Sequence, residues 1–145
     1  MLGFIKYIIL YSIPINFVWE MAQMPFYKNM PWDLNTALYC SVASVGDAVM
    51  ILTIFYIVAF FFKDLKWIFN IKLREITLSL IIGFIISGFV EQSALSINMW
   101  DYSSLMPKIP LLDAGITPVL QMLVLPLFIF KLTKYRLTNI SRSIS

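Results

Sequence analysis

The chain has 145 residues, of which 60% are hydrophobic and 13% charged, with a formal net charge of +3. A soluble domain carries about 45–50% apolar and about 25% charged residues, so with a mean hydropathy of +0.83 a soluble enzyme, a disordered tail and a nucleic-acid module are all poor readings. There is no histidine and one cysteine, Cys40, which removes His-based acid–base catalysis, a Ser-His-Asp triad, His-built zinc sites and an internal disulfide.

A membrane-spanning helix needs about 20 mostly apolar residues. Four segments qualify, about residues 2–24, 37–62, 76–98 and 116–132. The runs are too long for strands and lack period-two alternation, so helices are expected rather than a barrel. In the first, Pro14, Asn16 and Glu20 interrupt the apolar stretch and no small-x-small cleavage site follows, so a retained helix is expected rather than a signal peptide.

Lysine and arginine orient the spans. Lys6, the group Lys63, Lys66, Lys72 and Arg74, and the group Lys131, Lys134, Arg136 and Arg142 fall on one side, whereas only Lys28 and Lys108 fall on the other. The positive-inside rule then places both termini in the cytoplasm. The last dozen residues are polar and are expected to be loose. The expected fold is an all-α integral membrane bundle of four transmembrane helices, one domain over 1–145, multi-pass in the cell membrane.

Three carboxylates interrupt the apolar runs. Asp47 lies about ten residues into the second span, roughly 15 Å deep at 1.5 Å per residue, Glu91 in the outer half of the third, and Glu20 near the outer end of the first. A central Asp costs roughly 3 kcal/mol on insertion, so such groups face the bundle interior or a wet cavity. Helical steps of three and four align Ser12, Asn16, Glu20 and Gln23 on the first helix, Ser41, Ser44 and Asp47 on the second, and Ser87, Glu91 and Asn98 on the third. Gln121 follows in the fourth. The four stripes imply an outward-facing polar pocket. Serines on these stripes are also ordinary interhelical glue, and Gly46, Gly83 and Gly88 suit close helix packing.

A carboxyl withdrawn from water favours its neutral form, so Glu20, Asp47 and Glu91 are the candidate catalytic groups. Asn16, Trp19, Gln92 and Gln121 are candidate binding residues beside them. The outer loop after the third span adds Trp100, Asp101 and Tyr102, stiffened by Pro107 and Pro110. It reads either as an aromatic belt at the headgroup level or as a lid over a lipid-like ligand.

The runs Asn16-Phe-Val-Trp19-Glu20-Met, Gly46-Asp47-Ala48, Glu91 followed by Trp100-x-Tyr102, Met106-Pro107 and Gly115-x-Thr-Pro118-x-x-Gln121 together resemble a group of small four-helix membrane proteins of bacteria and archaea, a resemblance that covers most of the chain and implies no particular activity. The run Asn-x-x-Trp-Glu at 16–20 is similar to a motif of the integral-membrane terpene cyclases of fungal meroterpenoid pathways, which implies acid-initiated cyclisation with Glu20 as the acid. Glu followed by Trp-x-Tyr is similar to membrane carotenoid cyclases and hydratases, without their Pro-x-Glu-Glu signature.

Three functions stay open. One is a membrane cyclase, isomerase or hydratase acting on a lipid or isoprenoid. Another is a non-catalytic subunit or assembly factor of a larger membrane complex. The third is a small proton-coupled transporter, as a homodimer. Membrane lipids are the expected partners, nucleic acid is not, and neither a cofactor nor a metal is expected.

Overall fold

The computed structural model of the chain describes residues 2–110 and 112–144. The expected domain 1–145 and its loose end at Ser145 include Met1, Leu111 and Ser145, which lie outside the described residues. Four helices follow in order: α1 (Leu2–Gln23), α2 (Leu34–Phe62), α3 (Leu73–Ser96) and α4 (Ile116–Ile144). Short 3-10 turns at Met24–Phe26 and Trp67–Asn70 sit in the first two connections. No strand is formed among the described residues, only two isolated bridges.

Among the described residues three helices are long and apolar enough to cross a membrane: α2, α3, and α4 as far as Arg142. The shortest, α1, has 22 residues. Local chemistry sets the helix ends. Asp33 precedes α2 in extended conformation and its side chain accepts from Thr36 N–H at 2.8 Å, which starts α2 three residues before the expected 37. Glu75 accepts from the Lys72 backbone N–H at 2.9 Å and from Arg74 Nε at 2.7 Å, so α3 also starts early. It ends at Ser96, and Asn98 sits beyond it with φ 53°. Asn98 is exposed and does not share the Ser87–Glu91 face as expected.

The largest correction concerns the chain's end. The residues expected to be loose continue α4 to Ile144. No glycine or proline falls between 127 and 144 to stop the helix, and Arg142 in its last turn complements the negative end of the helix dipole.

The helices pack as a ring. α1 lies against α2 and α4, α3 lies against α4, and the α2–α3 contact is the slimmest of the four. Gly83 seats α3 on α4: a Cβ there would lie 2.4 Å from the Met122 carbonyl oxygen. Gly46 and Gly88, expected in the same role, have nothing within 4 Å of an added Cβ.

The two ends of the ring differ in kind. At the end holding the basic connection 63–72, the interior is an apolar cluster that includes Ile51, Ile54, Phe55, Val58, Ile129 and Phe130. Trp67 folds inward there, 1% exposed, with its ring 5.1 Å from Phe130 and 5.8 Å from Phe55, and its Nε1 donating to the Phe55 carbonyl. Phe4 meets Phe69 at 5.7 Å, which brings the start of α1 to the same end. At the other end, the interior is polar: Asn16, Gln23, Asp47, Glu91 and Gln121 are all buried.

Candidate functional site

The polar end is organised by Gln121, on the first turns of α4 and 2% exposed. Its Nε2 donates to Asn16 Oδ1 of α1 and to Asp47 Oδ2 of α2, both at 2.9 Å. Its Oε1 accepts from Gln23 Nε2 at 3.4 Å, and that same nitrogen donates to Glu20 Oε1 at 2.9 Å. Asn16 in turn donates to the Ser12 carbonyl at 2.8 Å. The Glu20 and Asp47 carboxyls thus hang on one chain of amides, Asp47 on Gln121 and Glu20 on Gln23. One amide on α4 therefore ties α1 and α2 together and joins two carboxyls through a single hydrogen-bonded chain. Buried polar groups are tolerated when joined in such a network.

Glu91 approaches from α3 and is held from the loop. Tyr102, 5% exposed, donates its hydroxyl to the Glu91 carboxyl and accepts from Gly115 N–H at 2.9 Å. Burial first, and the Glu91 hydrogen bond second, push the Tyr102 phenol above its ordinary value, so it stays protonated and remains a donor. Burial does the same for Tyr27.

These groups line a cavity of about 390 Å³, with Glu20, Gln23, Asp47, Glu91, Trp100 and Gln121 in its wall. Small-molecule sites run from about 300 to 1,000 Å³. Apart from Ser87, the rest of the wall is apolar or aromatic, including Tyr27, Tyr39, Met50 and Met122. The slim α2–α3 contact leaves the gap: Val42 and Gly46 of α2 and Val90 of α3 rim it, and Val42 is 74% exposed. The cavity thus opens sideways between two apolar helices.

The α1–α2 and α3–α4 connections close over this end together. Lys28 N–H donates to the Asp101 carbonyl and Ser103 N–H to the Phe26 carbonyl, both at 2.9 Å. Lys28 Nζ lies 2.7 Å from Asp101 Oδ2, and that ammonium holds the Asp101 carboxyl below its ordinary value. Tyr27 stacks edge-on against Trp100 at 6.3 Å.

Of the residues singled out from sequence, Glu20, Asp47, Glu91, Trp100 and Gln121 line the cavity. Asn16 and Tyr102 stand one bond behind, holding Gln121 and Glu91. Three lie elsewhere. Gln92 is exposed and donates to the Leu112 carbonyl. Asp101 is exposed and serves the loop clasp with Lys28. Trp19 packs against the apolar core. Ser41 and Ser44 bond the carbonyls of Ala37 and Cys40 in their own helix rather than crossing to a neighbour. Sequence reasoning passed over Tyr27, Tyr39 and Gly46 as site residues. Gln23 stood on the α1 stripe, which was the signal for it. The chain matches no protein-family model, no characterised protein and no solved structure, so its own geometry carries the functional reading.

Proposed function

We propose that this is a multi-pass protein of the cell membrane, with α1 as a fourth span, both termini cytoplasmic, and an acid–base site for a lipid or isoprenoid at its outer end. The observation that carries the reading is the linkage of Glu20 to Asp47 through Gln23 and Gln121, in a cavity that opens between α2 and α3. An apolar substrate reaches such a site from the lipid without crossing water. Three carboxyls then offer both a donor and an acceptor.

The chemistry needs no outside electrons. A carboxyl O–H gives its proton to an alkene carbon, and the resulting carbocation loses a proton from a neighbouring carbon to a carboxylate. Bond order shifts along the chain or a ring closes, and the proton count is unchanged. Positioned proton transfer of this kind contributes about 10²–10⁴-fold. The packed interior around Phe55, Trp67 and Phe130 favours this over transport, because a path through one chain would have to open it.

Purified protein in nanodiscs, incubated with prenyl lipids bearing alkene or epoxide ends, is expected to give an isomerised or cyclised product. Asp47→Asn and Glu91→Gln should lower turnover at least about 100-fold. Turnover unchanged in both variants, or none across the panel with wild-type protein, contradicts the reading.

A further inference from the structure

Among its ionisable side chains the cavity wall holds acids and no base, and its unpartnered donor, Trp100 Nε1, is neutral. Three carboxyls face the cavity, and among the described residues lining it there is no lysine or arginine. The two cations of the outer loops are already engaged, Lys28 with Asp101 and Lys108 with Asp113. A fourth acceptor is unused. Gln23 is 4% exposed, lines the cavity, and its Oε1 is buried without a hydrogen-bond partner. The amide cannot simply be turned around, because its nitrogen already donates to two oxygens, Glu20 Oε1 and Gln121 Oε1, and a reversed amide would face oxygen with oxygen. Three aromatic rings, Tyr27, Tyr39 and Trp100, complete the wall, and ring faces attract cations.

We infer that the polar end of the ligand is a protonated amine, carried on an apolar chain that lies in the gap between α2 and α3. An alkylammonium resembles the lysine head in holding its charge near neutral pH. It is donor-only, like lysine, and so matches a carboxyl pair and a free amide oxygen. It also balances acidic groups that are otherwise costly to bury. A phosphate or carboxylate head meets like charge and no donor cation. An alcohol supplies one donor and leaves the acidic wall uncompensated. Gly46 sets access: its added Cβ meets nothing within 4 Å, so a larger side chain fits the helix and fills the gap. The inference rests on the preceding section for the cavity, not for the proton chemistry.

The test uses the full chain in nanodiscs and three probes of equal chain length: N,N-dimethyldodecylamine, dodecanol and dodecanoate. Binding is read from the rise in Tm and by native mass spectrometry. The amine is expected to bind at least about tenfold more tightly than either other probe. Asp47→Asn should weaken the amine at least about tenfold with little change for dodecanol, and Gly46→Leu should abolish binding. The wild-type series reads headgroup preference whether or not either variant folds. Equal binding of amine and alcohol, tighter binding of dodecanoate, or no binding of the amine overturns the inference. Amine binding without prenyl turnover leaves it standing and removes the proton chemistry. Prenyl turnover without amine preference does the reverse.

Discussion

Gln121 is the residue on which the polar end turns. It reaches Asn16, Asp47 and Gln23 at once, and its loss strands two buried acceptors, Asn16 Oδ1 and Asp47 Oδ2, while Gln23 keeps its bond to Glu20. An unsatisfied buried polar group costs about 1–3 kcal/mol. Gln121→Leu is therefore expected to lower stability by about 2 kcal/mol or more. Gln92→Leu, at an exposed amide with one partner, should cost under about 1 kcal/mol. Chemical denaturation in mixed micelles measures both, and equal losses would deny Gln121 its central place. The inward placement of Asp47 was legible in the sequence because an acid in an apolar run has few places to go. What it bonds to was not, since Gln121 lies 74 residues away and only the ring of helices brings them together. Gln92 misled because it neighbours Glu91 in sequence, whereas adjacent residues on a helix point about 100° apart.

Among elements, the α3–α4 pair shows how one small residue sets a spacing. Adding a methyl at Gly83 brings it to 2.4 Å from a backbone oxygen of α4, and backbone cannot swing aside as a flexible side chain does. Gly83→Ala is expected to destabilise by about 1–3 kcal/mol, read as a lower Tm. Gly46→Ala, with open space around its Cβ, should leave Tm nearly unchanged. Equal shifts would mean that α3 and α4 do not meet at Gly83. The helix cores were readable from hydropathy, and the start of α4 at Ile116 fell where the sequence put it. The ends were less so. Polarity after 132 marks where an apolar run stops, but a helix of Lys, Arg, Leu and Thr continues until something breaks it. The clasp between the α1–α2 and α3–α4 connections also escaped the sequence, since Lys28 and Asp101 belong to different loops.

Across the whole molecule, hydrophobic and polar interiors are stacked end to end. Phe55, Trp67 and Phe130 seal one half, while acids and amides converge in the other and look out between α2 and α3. The polar stripes on α1 and α2 announced this division. Its sideways opening was not readable, because it depends on how little α2 and α3 touch. An apolar carbodiimide distinguishes this arrangement from scattered acids: it consumes a carboxyl O–H, forming an acylurea that mass spectrometry locates. In membranes, dicyclohexylcarbodiimide is expected to label Glu20, Asp47 or Glu91 in the wild type, and Gly46→Leu should suppress that labelling at least about tenfold while leaving Asp64 unaffected. Labelling of the three acids that is absent in the wild type, or undiminished in Gly46→Leu, would contradict a lipid-accessible hollow between α2 and α3.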